Sequence, residues 1–390
     1  MNTRWTPPAP LSTPGEALLA LVAIKIELSR TQHRLAVERY EAIREHIERA
    51  DSPLATLVVL FYPQGPMAIG ATIRAKRRED GYDIDIVVEL GLPPHTPPHQ
   101  VLNLLYRAVK GNPGSRYYDC TERQSRCVTV HYADGMHLDL TPSVLLEADD
   151  PRRSHIFHSK PEASRIDDRH LVINSYAFVE RFNAMTPVDH EFGRAYALQA
   201  QKMDPMLALM AADSEDVPAH SSEVGGKSAT VVALQLLKRN RNITYAPRTD
   251  MRMPPSAMLS ALALEITLPG RSVLDALDEL SHHVLTRLQE AHRLRRLIDV
   301  RNPTCWEDRV TDRWPGTLSA QERYFGDLIA FRKKLARYRA PGLSLKQQGD
   351  LLTEMFGEHP GRDAVRTYAD EIAAAGHSGR ARVTGTGGLV

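Results

Sequence analysis

Two aspartates one residue apart, Asp83 and Asp85, lie in a segment of strongly β-forming residues that continues to Leu90. Side chains alternate between the two faces of a β-strand, so both carboxylates project from one face while Ile84 enters the core. A third aspartate, Asp139, recurs in a similar apolar segment further along the chain. Carboxylates held this close repel each other unless a cation lies between them, and hard oxygen ligands suit Mg²⁺. The three acids therefore predict a metal site that supports phosphoryl transfer.

An Asp-x-Asp pair alone is a weak signal, because exposed strands carry such pairs by chance. The segment before it adds a second feature: a strand ends at Gln64 and Gly65, and a helix-like stretch from Met67 to Arg74 follows. Free N–H groups at the start of such a stretch can bind phosphate. A phosphate-binding turn beside a metal-binding strand favours a functional site over a solvated pair of surface acids.

The charge of the chain is nearly balanced, with 49 Lys and Arg against 48 Asp and Glu and a formal net charge of +1. That balance argues against a protein that grips long DNA or RNA, but it leaves room for a local pocket that binds short nucleotides. Cys120, Cys127 and Cys305 form no C-x-x-C pair, so we interpret them as reduced thiols. No apolar stretch approaches the ~20 residues that span a bilayer. We expect a cytoplasmic protein that does not enter the membrane.

The periodicity of apolar residues divides the chain into a part that mixes strands with helices and a later part made of helices. In the first part it predicts one helix from Pro14 to about Arg49, a helix near 99–110, and strands at 57–62, 83–90, 126–132 and 136–146. Beyond about residue 165 it predicts helices at 172–182, 192–210, 228–241, 256–268, 273–298, 320–338 and 345–356.

The predicted fold class is therefore α+β with two lobes. A catalytic lobe with a mixed β-sheet and a long N-terminal helix would occupy residues 1–165. A helical lobe over residues 166–375 would close the active-site cleft. A flexible tail, rich in small residues, would follow over 376–390.

The order of glycine turn, helix, Asp-x-Asp strand and later strand aspartate resembles that of the nucleotidyltransferase superfamily. Later segments narrow the resemblance to the bacterial cyclic-oligonucleotide synthases (the CD-NTases), which are related to animal cyclic GMP–AMP synthase and to oligoadenylate synthase. These segments are Asn174-Ser175-Tyr176-Ala177-Phe178, Leu236-Leu237-Lys238-Arg239-Asn240-Arg241, Pro254-Pro255-Ser256, Asn302-Pro303-Thr304 and Thr311-Asp312-Arg313-Trp314-Pro315. The resemblance runs from about residue 15 to residue 340, so it is far more specific than the three acids alone.

The resemblance implies an enzyme that joins ribonucleoside triphosphates into a cyclic di- or trinucleotide second messenger and releases pyrophosphate, in antiphage (CBASS-type) signalling. Asp83, Asp85 and Asp139 would be the catalytic acids and would bind two Mg²⁺ ions, or Mn²⁺ in their place. The residues implied to contact the nucleotide are Gln64, Gly65, Pro66, Thr72, Lys238 and Ser256. The implied partners are nucleoside triphosphates, a downstream effector that reads the product, and a regulatory protein that captures the C-terminal tail.

One position departs from the family pattern. The family's turn is usually Gly-Ser, whereas this chain has Gly65-Pro66, and proline carries neither an N–H nor a hydroxyl. Residue 66 therefore cannot donate the two hydrogen bonds to phosphate that a serine would, and later amides or Thr72 are the candidates to replace them. Two alternatives stay open: a nucleotide sensor without catalysis, which Pro66 motivates, and an RNA or tRNA nucleotidyltransferase. The latter would need a long basic track, which the charge balance disfavours.

Overall fold

A seven-stranded mixed sheet forms the framework of the first part of the chain. The structure, a computed structural model, describes residues 11–74, 82–147, 152–162, 164–203, 227–266 and 270–378. The strands of this sheet are β1 Val58–Gln64, β2 Asp83–Leu90, β3 Thr121–Arg123, β4 Val128–His131, β5 His137–Leu145, β6 Ser154–His158 and β7 Arg169–Ile173.

The central pair of strands in this sheet is β2 and β5, which run parallel to each other. Neighbouring strands follow the order β1–β2–β5–β4–β3, and every other pairing in the described sheet is antiparallel. β4 pairs with the first half of β5, while β6 pairs with its second half and leads to β7. The strand that carries Asp83 and Asp85 therefore lies directly beside the strand that carries Asp139.

The four predicted strands are confirmed as β1, β2, β4 and β5, whereas β3, β6 and β7 escape prediction because they are short and rich in polar residues. β7 belongs to the sheet although it lies beyond residue 165, where the predicted catalytic lobe ends. The predicted helix at 172–182 is wrong over its first residues, because Val172 and Ile173 lie in β7. The helix begins at Ser175, where the side chain of Asn174 accepts a hydrogen bond from the N–H of Ala177.

One face of the sheet is apolar and packs against the helices α2 Arg30–Glu48 and α4 Pro98–Lys110, the second of which was predicted. Ile84, Ile86 and Val88 of β2 are fully buried in this core. Because side chains alternate along a strand, burial of these three residues turns Asp83 and Asp85 to the opposite face.

The single helix predicted from Pro14 to about Arg49 is wrong, since the chain forms two helices there, α1 Pro14–Ile26 and α2. The break lies at Ser29, whose side chain accepts a hydrogen bond from the N–H of Gln32 while the Gln32 side chain accepts one from the N–H of Ser29. This capping box stabilises a new helix start. The break separates two surroundings: α1 packs in the core of the helical part, and α2 packs on the sheet.

Helices dominate the chain after the sheet, as predicted, although most of their ends differ by a few residues. After the single-turn helix α3 Gly65–Ala68, the remaining helices are α5 Ser175–Met185, α6 His190–Met203, α7 Ala229–Tyr245, α8 Ser256–Leu264, α9 Val273–Arg293, α10 Leu318–Arg339, α11 Leu345–Phe356 and α12 Glu358–Ser378. Two features were not predicted: α12, and a hairpin of β8 Arg301–Asn302 with β9 Cys305–Arg309.

Helix α1 is tied to the helical core by Glu16, which is nearly buried. Its carboxylate accepts hydrogen bonds from the N–H groups of Val273 and Leu274, both at 3.0 Å. A negative charge at the start of α9 satisfies free N–H groups and interacts well with the helix dipole. The N-terminal helix is therefore part of the second lobe as well as the entry to the first.

The predicted flexible tail at 376–390 is wrong at its start, because α12 continues to Ser378. The rest of that tail lies outside the described residues, as do residues 1–10 and the end of the helix predicted at 192–210. Among the described helices, none is both long enough and apolar enough to cross a bilayer.

Candidate active site

The three predicted acids come together on the face of the sheet that is not covered by α2 and α4. Asp85 and Asp139 are paired residues of the parallel strands β2 and β5, and Asp83 lies two residues earlier on the same face. The Thr129 hydroxyl on β4 donates a 2.5 Å hydrogen bond to Oδ1 of Asp139. Nδ1 of His137, the strand partner of Asp83, lies 3.5 Å from Oδ1 of that acid. Parallel pairing in this register is what brings residues more than fifty positions apart to one point.

The electrostatics of the acids indicate negative charge that the protein does not fully offset. Desolvation raises the pKa of Asp85 to about 7, helped by the charges of Asp139 and Asp83, while Lys238 opposes the shift. The pKa of Asp83 is also raised, first by desolvation and then by Asp139. The Asp83 side chain is 65% exposed, however, so water screens both effects there. Asp85 is therefore the acid that would gain most from a bound cation.

The chemistry of these donors fits Mg²⁺, which prefers carboxylate oxygens and keeps several water ligands. Within the described residues, no group of three or more His, Cys, Asp and Glu side chains is arranged to hold a metal ion as it stands. The carboxylates are nevertheless close enough to raise each other's pKa. A cation would have to draw them together, which the exposed side chain of Asp83 can accommodate.

The glycine turn before the acids is required by sterics. Gly65 has φ +64°, and a Cβ at this position would lie 2.6 Å from Oδ2 of Asp85. Any side chain here would displace the carboxylate, so the turn and the acid are in direct contact. The helix-like stretch predicted from Met67 to Arg74 is wrong in length, because α3 covers only Gly65–Ala68.

The segment after α3 is held by side chains of α7. The Lys238 ammonium donates a 2.6 Å hydrogen bond to the carbonyl of Ala71, and the Gln235 amide donates one of 3.0 Å to the carbonyl of Thr72. The Thr72 hydroxyl is buried and has no hydrogen-bond partner among the described residues, so it is available to a ligand. Burial, together with repulsion from Arg241, lowers the pKa of Lys238 to about 7, although Asp85 opposes the shift.

Ser256 begins α8, and its hydroxyl accepts hydrogen bonds from two nitrogens of the Arg241 guanidinium, each at 3.2 Å. Arg241 also donates to the carbonyl of Pro254 at 2.8 Å. The Pro-Pro-Ser turn is thus fixed against α7, with its serine facing the same space as Lys238.

A cleft of about 690 Å³ joins these parts. It lies between the acidic face of the sheet, the start of α8 and the β8–β9 hairpin, and its volume is in the range typical of small-ligand sites, ~300–1,000 Å³. The predicted site residues in its lining are Gln64, Gly65, Pro66, Thr72, Asp83, Asp85, Lys238 and Ser256. Asp139 is the one predicted residue that does not line this cleft, although it pairs with Asp85 at its floor.

Comparison with known proteins agrees with this geometry. The family model of the second messenger oligonucleotide or dinucleotide synthetase domain matches residues 16–152. The cyclic dinucleotide synthase CdnG of Bradyrhizobium diazoefficiens is 38% identical over 384 residues, which cover 98% of this chain and 90% of that protein. The chain belongs to the CD-NTase family of nucleotidyltransferases.

Two further comparisons support membership in the CD-NTases. The solved structure of CdnG from the same organism in complex with GTP aligns with a TM-score of 0.78 at 37% identity, covering 92% of this chain and 100% of that one. A c-di-GMP synthase of Roseivirga ehrenbergii is 22% identical over 367 residues, covering 92% of this chain and 88% of that protein. The bilobed nucleotidyltransferase fold predicted from the sequence is thereby confirmed.

The cleft of this CD-NTase also contains residues that sequence reasoning missed. Arg126 lies between β3 and β4, and Asp308 lies on β9, where its Oδ2 accepts a 2.9 Å hydrogen bond from Asn302. Neither residue lies in a motif that could be recognised in the sequence. Each reaches the cleft through strand pairing, which the periodicity of apolar residues does not predict. The resemblance does mark the segments around Asn302 and Asp312, although it assigns them no role.

Proposed function

We propose that this CD-NTase makes a cyclic di- or trinucleotide from ribonucleoside triphosphates, and that the product is a second messenger in antiphage signalling. The observation that carries the proposal is the set of three carboxylates, paired in register on β2 and β5, beneath a cleft that the glycine turn also lines. The relatives named as cyclic dinucleotide synthases give the same reaction class.

In this proposal Asp83 and Asp85 would hold Mg²⁺ together with the donor triphosphate, and Asp139 would join them at the acceptor hydroxyl. Bound Mg²⁺ supplies charge neutralisation on the transferred phosphate and the leaving pyrophosphate, and lowers the pKa of the attacking hydroxyl. A bond forms between the acceptor oxygen and the α-phosphorus of the donor, and the bond to pyrophosphate breaks. Asp139 orients the attacking hydroxyl and receives its proton.

The donor triphosphate would lie between the glycine turn and α7. The Thr72 hydroxyl lacks a partner among the described residues, and the Lys238 ammonium has donors left after its bond to Ala71. These two groups, with Ser256, would replace the hydrogen bonds that Pro66 cannot make. Repeating the reaction within a linear product closes the ring, which requires only that short products stay in the cleft.

The raised pKa of Asp85 leads to a pH dependence of metal binding. Because a proton and a cation compete for the carboxylate, we expect the apparent affinity for Mg²⁺ to increase about tenfold per pH unit below pH ~7 and to level off above it. Calorimetric titration of the nucleotide-free protein with Mg²⁺ at several pH values measures this, and proton uptake by the buffer should accompany binding at low pH. An affinity that does not change with pH would contradict the assignment of Asp85 as a ligand.

The activity itself is tested by incubating the purified protein with the four radiolabelled ribonucleoside triphosphates and Mg²⁺. We expect a product that resists phosphatase, because a ring has no terminal phosphate, together with release of pyrophosphate. Mass spectrometry with nuclease digestion then identifies the bases, the ring size and the 2′–5′ or 3′–5′ linkages. If the wild-type protein forms no more resistant product than its Asp85→Asn variant, the proposed synthase activity is wrong.

A second candidate, a nucleotide sensor without turnover, is favoured by one observation, the proline at position 66. Calorimetry that shows tight triphosphate binding in the absence of any product would support it. Extension of an added RNA primer would instead indicate an RNA nucleotidyltransferase.

A further inference from the structure

Three arginines form a cluster at the mouth of the cleft where the two lobes meet. This arginine cluster consists of Arg126 before β4, Arg252 before α8 and Arg313 after β9. The Arg313 guanidinium donates a 3.1 Å hydrogen bond to the hydroxyl of Ser125, and Arg252 donates one of 3.2 Å to the carbonyl of Arg313. Arg126 forms an ion pair with Asp312. The cluster therefore joins the sheet to the helical lobe.

The cluster carries more positive charge than its neighbours offset. Among the described residues, the carboxylate of Asp312 forms an ion pair with Arg126. Burial lowers the pKa of Arg313, as do the charges of Arg126 and Arg252, while the charge of Asp312 opposes the shift. Nε of Arg126 is buried and has no hydrogen-bond partner among the described residues, although the Arg126 side chain lines the cleft. The nearby His158 is surrounded by cations, since burial and the charges of Arg126, Arg169, Arg313 and Lys160 all lower its pKa. Uncompensated guanidinium groups beside a cleft indicate an anionic ligand.

The sheet places this cluster on the opposite side of the acids from the glycine turn. In the strand order β1–β2–β5–β4, Gly65 follows β1, while Arg126 precedes β4, whose Thr129 is the strand partner of Asp139. Strands β1 and β4 are three places apart, or roughly 14 Å at the usual strand spacing. One side of the acids thus has Lys238 and the glycine turn, and the other side has the arginine cluster.

We propose that the arginine cluster binds the triphosphate of the acceptor nucleotide. The inference depends on the proposed synthase reaction, in which both nucleotides of the first step carry a triphosphate but only the donor's is cleaved. The acceptor hydroxyl has to lie at Asp139, on the cluster's side, so the acceptor's own triphosphate extends toward Arg126 and Arg313. Ring closure then requires the linear product to turn, which moves this triphosphate from the arginine cluster to the glycine turn.

The test separates the two nucleotide roles with analogues. Labelled 2′,3′-dideoxy-GTP has no hydroxyl for attack and serves only as donor. α,β-Methylene-GTP, whose bond to the leaving group is not cleaved, serves only as an acceptor that carries a triphosphate. Guanosine serves as an acceptor that lacks one. We expect the wild-type protein to use the triphosphate acceptor about tenfold better than guanosine, measured as kcat/KM for labelled dinucleotide. In the Arg126→Ala, Arg313→Ala double variant this preference should fall to near unity while the guanosine reaction stays within about threefold of wild type.

Controls distinguish a binding role from a structural one. A double variant on the exposed surface of α12, Arg362→Ala with Arg366→Ala, removes the same charge and should keep the wild-type preference. Should the first double variant unfold, the single variant Arg252→Ala, which removes a hydrogen bond to one backbone carbonyl, should reduce the preference in part. The assignment would be overturned if the cluster variants kept the wild-type preference for the triphosphate acceptor over guanosine. It would also be overturned if they lost kcat/KM equally with both acceptors. Absence of transfer to either acceptor by the wild-type protein would instead refute the synthase reaction and the acceptor site with it.

Discussion

Replacing Asp85 by asparagine should abolish synthesis while leaving the protein folded, with a loss of roughly 10³-fold or more in the rate of product formation. The amide has nearly the shape of the carboxylate but no charge, so it is a poor ligand for Mg²⁺. Asp85 is the acid whose pKa is raised to about 7, which makes it the acid whose charge is least offset by the protein. Product formation under saturating triphosphate and Mg²⁺ measures the change.

Stability should respond to Asp85→Asn in the opposite direction to activity. An acid whose folded-state pKa is raised stabilises the folded state only while it stays protonated, so its contribution is lost as pH rises from about 4 to about 7. The variant lacks this titration and should be more stable than wild type at pH ~8, by denaturant unfolding, and nearly equal to it at pH ~4.

The matched control is Asp370→Asn, on the exposed surface of α12, which should change neither activity nor the pH dependence of stability. A structural role for Asp85 would lower stability and activity together. That joint loss would contradict the metal-ligand assignment.

The parts of the fold that the sequence predicts are those in which one local pattern suffices. Alternation around Asp83 and Asp85 predicts β2, and helical periodicity predicts α7 and α10. The break between α1 and α2 was not predicted, because Ser29 acts through a capping box whose effect depends on two different packing surfaces. β6 and β7 were not predicted because their stability comes from strand pairing, β6 with β5 and β7 with β6, rather than from their own composition.

The candidate site also has a part that the sequence predicts and a part that only the structure shows. The acids and Gly65 follow from residue type and order, and the structure adds the reason for the glycine, which is contact with Asp85. The resemblance marks Lys238 and Ser256, but only the structure gives their hydrogen bonds: Lys238 binds a backbone carbonyl and Ser256 binds Arg241. Of the arginine cluster, only Arg313 lies in a segment that carries the family resemblance. Nothing in the sequence brings it to Arg126 and Arg252, because the three lie on separate loops that meet only in the folded chain.

These hydrogen bonds also explain how a CD-NTase could function with proline after its turn glycine. The first role of the Gly65-Pro66 turn is to leave space for the Asp85 carboxylate. This role requires Gly65 and is unaffected by Pro66. Phosphate binding is a separate role of the turn. Pro66 has no N–H or hydroxyl to donate, and Thr72 and Lys238, which line the same cleft, carry groups that can donate instead. The effect of the glycine can therefore be tested independently of the proline.

Gly65→Ala should reduce synthesis by about 10²-fold, through displacement of Asp85 rather than loss of a ligand. The new Cβ would lie 2.6 Å from Oδ2 and 3.3 Å from Cγ of Asp85, so the carboxylate has to move. The left-handed backbone at φ +64° adds a cost of about 1–2 kcal/mol in the free energy of unfolding. Activity assays at several Mg²⁺ concentrations should show a weaker apparent affinity for the metal as well as a lower maximal rate.

Gly114→Ala is the matched control, because Gly114 has φ +85° and, among the described residues, no atom within 4 Å of the added Cβ. It lies in a loop of the same lobe, so the alanine there carries the backbone cost without the collision. We expect both variants to lose similar stability and only Gly65→Ala to lose activity and Mg²⁺ affinity. Equal activity in the two variants would mean that Gly65 serves the turn alone and that the Asp85 carboxylate tolerates displacement.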